Sequence, residues 1–272
     1  MALAPHELQR IAQARDWRGG EVEVFDTAAG KVIVKGLRAR HHPARFRLLN
    51  GVARLLGLPF LQAAPMPGGA QAQQTEVARL RALRGAGAPV PEVLHVGSDH
   101  FVMRWLGHDH LADVIQAGHP QAAALWREGG SALLRLHAAG QYLSQGFARN
   151  MIVAGAPASP RLAGLIDFED DPLQVMDLPD AQLRDWLAYL HSTLWMLPLP
   201  QAEVDACIDQ WMAQESPAVR AGFLQACRRL GWLRVLPRHR RFGRDTVSLQ
   251  ATGAAAHRYA RRHAGVPAPI SD

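Results

Sequence analysis

Residues 136–153 read LHAAGQYLSQGFARNMIV, and residues 162–171 read LAGLIDFEDD. The first stretch leaves an apolar helical pattern at Gly140, runs through a polar loop to Asn150, and turns apolar again at Met151. The second is a short apolar run, read as a strand, that ends in acids. Between Glu128 and Asp167 there is no Asp or Glu at all, so this part of the chain meets its first carboxylate at "DFEDD". An amide at 150 and a carboxylate at 167 are hard oxygen donors of the kind a divalent ion takes. Taken alone, Asp167 is equally a turn cap after a strand.

Working towards the N-terminus, residues 21–36 form a hairpin pattern. "EVEVFDT" alternates as a half-buried strand, "AAG" makes the turn, and "KVIVKG" is the returning strand. Alternation puts Val32 and Val34 on one face and Lys31, Ile33 and Lys35 on the other. "QTEVARLRALRGAG" is a helix closed by glycine, with Glu76, Leu80 and Leu83 on one face. A carboxylate among leucines needs a counter-charge if that face is buried. "APVPEVLHVG" and "HFVMRWLG" read as two further strands. Beyond about residue 107 the pattern is helical: "QAAALWREGGSALLRLHAAG", "AQLRDWLAYLHSTLWML", "QAEVDACIDQWMAQ" and "PAVRAGFLQACRRLGWL". The fold expected is α+β and bilobal. Residues 1–105 make a small β-rich lobe with one helix, residues 106–272 a larger helical lobe, and Met103–Gly107 the hinge between them.

Of the 30 basic residues, 28 are arginine, and only Lys31 and Lys35 are lysine. Against that bias a retained lysine invites a chemical reason, since an ammonium is a compact point charge and a guanidinium a planar fork. The start of the chain is an amphipathic helix and not a charged-then-apolar leader. No run of 18 apolar residues occurs. Cys207 and Cys227 lack metal or redox spacing and read as reduced thiols, which makes a cytoplasmic setting the expectation.

The order of these elements resembles the protein-kinase-like superfamily. Its look is nearest to bacterial lipopolysaccharide-sugar kinases, Bud32-like kinases and kinases of the aminoglycoside phosphotransferase type. The resemblance spans roughly residues 17–200. It implies that "VIVK" carries the lysine holding nucleotide phosphates, Lys35, and that Glu76 is its helix partner. It implies that Gly19 and Gly20 belong to a phosphate-covering turn, although the fuller glycine pattern is missing, and that Met103 lines the nucleotide site at the hinge. Asn150 and Asp167 become the metal-binding pair, with ATP and Mg as cofactors. The implied reaction is phosphoryl transfer to a sugar hydroxyl of a glycolipid, such as a lipopolysaccharide core, or of another small molecule.

In that pattern an aspartate stands five residues before the asparagine. Here the position is Gln145, preceded by Leu143 and Ser144 in place of His-Gly. Glutamine can accept a hydrogen bond from an acceptor hydroxyl but cannot remove its proton. General-base help is worth about 10²–10⁴-fold, so its loss slows the chemistry without abolishing the rest. Three readings follow: a pseudokinase that binds nucleotide for regulation or assembly, an atypical kinase, or a nucleotide used in another orientation for another transfer. The atypical kinase would have an acidic acceptor, or one deprotonated by Asp170, Asp171 or His137.

The last quarter, "RRLGWLRVLPRHRRFGRD" and "HRYARRH", concentrates arginine among Trp232, Phe242 and Tyr259. It is either a solvated helical face or a contact with an anionic membrane surface, a phosphorylated glycolipid or nucleic acid. No nucleic-acid module accompanies it, so nucleic acid ranks last, and the peripheral site considered is the inner membrane.

Overall fold

The computed structural model describes residues 3–18, 22–37, 62 and 68–265. Gly19, Gly20 and the basic stretch after Leu37 lie outside the described residues. The described chain is α+β, with a small β-rich N-terminal part and a larger helical C-terminal part.

Helix α1 (Pro5–Gln13) opens the chain, followed by the hairpin β1 (Val22–Thr27) and β2 (Gly30–Gly36). After helix α2 (Gly69–Gly85) come β3 (Val93–Val96) and β4 (His100–Arg104). The four strands form an antiparallel sheet in the order β1-β2-β4-β3, with Lys35 opposite Phe101 and Ile33 opposite Met103. Strand periodicity sends alternate side chains to opposite faces. Val32, Val34 and Val102 therefore pack with Leu3, Ile11 and Trp17 under α1. Phe101 and Met103 join Val77, Leu80 and Leu83 of α2 on the other face, which is the face that carries Lys35. Buried Glu7 staples α1 to the hairpin turn, accepting hydrogen bonds from the backbone of Ala4 and Ala28 at 2.8 and 2.7 Å.

After β4, β5 (Asp109–His110), β6 (Met151–Ala156) and β7 (Ser159–Leu165) form a second antiparallel sheet. Helices α3 (Leu111–Gln116), α4 (Ala122–Ala138), α5 (Leu178–Thr193), α6 (Gln201–Gln214), α7 (Pro217–Leu230) and α8 (Arg244–Arg262) build the rest. Aromatic rings fill the centre: Trp211 lies 4.8 Å from Trp126 and 5.2 Å from Trp186, centroid to centroid. The indole reaches so far in because residue 130 is glycine; a Cβ there would stand 2.2 Å from Trp211.

One apolar core runs from α2 and β4 through α4 and α5 to α7 and α8, so both parts share it. Polar ties also cross between them. Leu165 N donates to Pro89 O at 2.8 Å, and Arg79 of α2 donates to Tyr142 O at 2.8 Å while its guanidinium lies 3.8 Å from the Tyr142 ring centre. The C-terminal arginines divide into two groups. Arg258 and Arg262 are paired with Asp205 and Asp209 of α6, and Tyr259 is buried, so "HRYARRH" is a packed helix and not a free basic tail.

Candidate active site

The hairpin and α2 deliver the cationic half of the site. Lys35 is held on β2 with its neighbours Val34 and Gly36 buried, so its backbone has no freedom to drift. Its ammonium lies 2.8 Å from Glu76 Oε2 and 2.9 Å from Oε1. The same nitrogen stands 2.6 Å from Glu169 Oε1 and 3.6 Å from Asp167 Oδ1. Burial pulls the Lys35 pKa down, but the charges of Glu76, Glu169 and Asp167 outweigh it and hold the ammonium above the ordinary lysine value. At Glu76 burial dominates over the attraction of Lys35, and its pKa lies above the usual carboxylate range. Three carboxylates, Glu76, Glu169 and Asp167, thus converge on the one ammonium.

The later half of the chain supplies the facing wall. β6 and β7 bring Asn150 and Asp167 side by side: Ile166 N donates to Asn150 O at 2.9 Å. Asn150 donates its side-chain amide to Gln145 O at 3.0 Å, which leaves its carbonyl oxygen for the cleft that Asn150 lines. Among the described residues, the two non-glycine residues with positive φ are Ser144 (80°) and Asp167 (73°). Such conformations cost roughly 1–3 kcal/mol each and persist where the surroundings over-determine them. Both fall at this site, on the two loops that meet.

Ser144 Oγ donates to Asp170 Oδ1 at 2.5 Å, and Gln145 Nε2 to Asp170 Oδ2 at 3.3 Å. Arg184 Nη2 stands 3.7 Å from the same carboxylate. Asp170 is itself buried, and burial, partly offset by the Ser144 hydrogen bond, raises its pKa. From below, Asp185 of α5 accepts from Leu143 N at 2.5 Å. Gly146 lies so close to α5 that a Cβ would come within 2.4 Å of Asp185 O.

Between the two halves opens a cleft of about 550 Å³. Its roof, from the first sheet, includes Val22, Val24 and Ile33, its floor Ile152 and Ile166; Met103 of β4, Lys35, Glu76, Asn150 and Asp167 line it too. This volume lies in the range of pockets that enclose a small organic ligand. A second, mainly apolar pocket of about 330 Å³ adjoins the loop on the far side of Gln145, lined by Phe147, Arg184, Leu187, Leu230 and Leu249.

The donor set fits a divalent ion of the magnesium type. Among the described residues no cluster of three or more His, Cys, Asp or Glu side chains is arranged to hold a metal. Mg²⁺ does not ask for such a cage, because it is bound through one or two protein oxygens and completes its shell with phosphates and water. The oxygens of Asp167 and Asn150, both lining the cleft, are of that kind.

Five of the eight residues singled out from the sequence, Lys35, Glu76, Met103, Asn150 and Asp167, line this one cleft. Gln145 sits at its edge through Asn150, and Gly19 and Gly20 lie outside the described residues. Glu169, which no sequence motif singled out, is a direct partner of Lys35. The sequence reading named His137 as a possible base. The structure removes it from that role: its ring is buried, with Nδ1 2.6 Å from Glu215 Oε1 and Nε2 3.4 Å from Asp185 Oδ2. Asp171 is likewise occupied, accepting from Tyr142 Oη at 2.7 Å.

A two-part fold with a shared cleft, a lysine–glutamate pair on one side and an asparagine–aspartate pair on the other, defines a kinase-like phosphotransferase class. The sequence model of the phosphotransferase enzyme family (APH) matches residues 34–224, well over half of the chain. The protein belongs to that family. No curated protein matches the sequence.

Proposed function

We propose that the protein transfers the terminal phosphoryl group of ATP, with Mg²⁺, to a hydroxyl of a small molecule or of a glycolipid such as a lipopolysaccharide core. The observation that carries this reading is the position of Lys35 Nζ, 2.8 Å from Glu76 and 3.6 Å from Asp167 in the cleft all three line. Family membership supports the reaction class, and the cleft volume supports a nucleotide-sized ligand.

In this reading the apolar roof and floor and Met103 take the base, and Lys35, held by Glu76, takes phosphate oxygens. A bound Mg²⁺ would neutralise phosphate charge, with Asn150 and Asp167 as its protein ligands. Gln145 is the acceptor-side residue. Its amide nitrogen is committed to Asp170, so Oε1 is the end that can accept from the incoming hydroxyl. Phosphoryl transfer runs mostly on positioning and charge neutralisation, so an amide that orients the hydroxyl is compatible with slow turnover.

The replacement of a carboxylate by Gln145 favours a second reading, a pseudokinase whose nucleotide pocket serves regulation or assembly. Two measurements separate the readings. Mg-ATP raises the Tm of the wild type but not of Lys35→Ala or Asp167→Ala; no shift for the wild type would remove both readings. ADP release on a panel of sugar and glycolipid acceptors then decides, since tight nucleotide binding with zero turnover leaves only the pseudokinase.

A further inference from the structure

The chain from α7 to the first residue of α8 has an unusual surface. From Ser216 to Arg244 there are eight arginines and no acidic residue, although the chain holds 24 acids in all. Within this segment Trp232, Val235 and Phe242 are 60, 70 and 48 % exposed, and Leu249 follows on the exposed side of α8. These are half of the large apolar side chains exposed among the described residues, gathered into a short length of chain. Arg234, Arg238, Arg240, Arg241 and Arg244 are exposed among them.

The local geometry explains why the rings face outward. Residues 231–235 and 240–242 are short 3₁₀ helices, in which side chains at i and i+3 eclipse, so Trp232 and Val235 share the outer side while Leu233 is buried. Arg240 and Arg244 lie over the Trp195 ring at 5.0 and 5.1 Å, and Arg241 over Phe242 at 4.8 Å. A guanidinium stacked on a ring still has its in-plane N–H edge available to an anion. An aromatic and aliphatic ridge set among arginines matches the interfacial zone of an anionic bilayer, where rings enter the acyl boundary and cations meet phosphate headgroups.

We propose that this edge docks on an anionic phospholipid surface. Trp232, Val235 and Phe242 are the inserting residues, and Arg238, Arg240, Arg241 and Arg244 are the headgroup contacts. The edge is continuous with the apolar pocket beside Gln145, since Leu249 belongs to both. A bilayer seated there lies against the approach to Gln145, which suits an acceptor carried on a lipid. That last link rests on the transfer reading above; the docking itself does not.

The test is flotation of the full chain with vesicles, in the absence of nucleotide. Vesicles of mixed phosphatidylcholine and phosphatidylglycerol retain the protein, and pure phosphatidylcholine vesicles do not. The double charge reversal R240E/R241E lowers retention about tenfold or more, as does high salt. W232S/F242S also abolishes retention while leaving Tm and the Mg-ATP shift unchanged, and brominated lipid quenches wild-type fluorescence more than that of Trp232→Phe. Equal retention on both vesicle types, or full retention by R240E/R241E, overturns the proposal. So does binding to single-stranded RNA without binding to either vesicle. A protein that floats but shows no Mg-ATP shift keeps the docking and loses the transfer reading; one that shifts but does not float does the reverse.

Discussion

Gln145 is bonded to Asp170 through its amide nitrogen, 3.3 Å from the carboxylate oxygen, and to Asn150 through its backbone carbonyl. The position where a catalytic aspartate would stand thus has a carboxylate directly behind it. A second carboxylate at 145 would face Asp170 across a short, partly buried gap, where like charges raise one another's pKa. Glutamine removes that repulsion and at the same time gives up proton removal.

The first prediction follows from that arrangement. Asp170→Asn leaves one acceptor oxygen for the two donors Ser144 Oγ and Gln145 Nε2, which loosens the amide, so acceptor turnover falls about tenfold or more while the Mg-ATP thermal shift is unchanged. Gln145→Asp, in the Asp170→Asn background to relieve the repulsion, gains turnover by up to about 10²-fold. Steady-state kinetics on a responding acceptor check both. Equal kcat in wild type and Asp170→Asn would show that the anchor has no bearing on transfer.

Lys35 neutralises a cluster, not a single partner. Lys35→Met leaves buried Glu76 without its cation, a loss of about 3–5 kcal/mol by comparison with other broken buried pairs. Part of that stability returns in the variant as pH falls, because protonating Glu76 removes an uncompensated charge. Urea titrations at two pH values read this directly. A variant as stable as the wild type at neutral pH would mean the carboxylates are not held together by Lys35.

The His137 cluster is a pH-dependent support beneath the loop. Burial lowers the His137 pKa, but hydrogen bonds to Asp185 and Glu215 raise it further, and the net value lies above 6.5. Burial would raise the Glu215 pKa, but the His137 hydrogen bond and charge leave it below 4.5. The His137 contribution is therefore complete below 6.5 and is lost as pH rises through the elevated folded value. The Glu215 contribution is present above 4.5 and is lost as pH falls through the depressed one. The Tm gap between wild type and His137→Gln is widest between these limits and narrows on the alkaline side. A gap that stays constant from mildly acidic to alkaline pH would rule out an ionised histidine here.

Gly146 is the closest contact of the loop with α5. Gly146→Ala forces a Cβ to 2.4 Å from Asp185 O, and a backbone oxygen cannot move aside as a side chain can. The substitution lowers Tm and displaces Gln145, so turnover falls more than nucleotide binding does. If Gly146→Ala keeps wild-type turnover, the packing of this loop on α5 does not set the position of Gln145.

Much of the site was legible because its residues sit in regular elements with strong periodicity. β2 alternates cleanly, so Lys35 could be assigned to the face opposite Val32 and Val34, and Glu76 to the leucine face of its helix. Asn150 and Asp167 followed from order along the chain. Glu169 was not legible, since an acid after an aromatic residue carries no local signal, and its pairing with Lys35 bridges β2 and the loop after β7. β6 was hidden in the quoted stretch, where Met151–Val153 is too short an apolar run to announce a strand. Nor could sequence alone divide the C-terminal arginines. Arg258 and Arg262 meet Asp205 and Asp209 only because α8 lies along α6, whereas Arg240 and Arg244 find an indole.

That lateral pairing of α8 with α6 fixes more than the position of a helix. With Arg258 and Arg262 bound to α6, and Gly253 so close to the turn after α7 that a Cβ would lie 2.5 Å from Leu233, the tryptophan-bearing edge has no slack relative to the rest of the molecule. Any surface that receives this edge would find Gln145 at a set height above it. Acceptors would then be sorted by how far their hydroxyl projects, as by a gauge block.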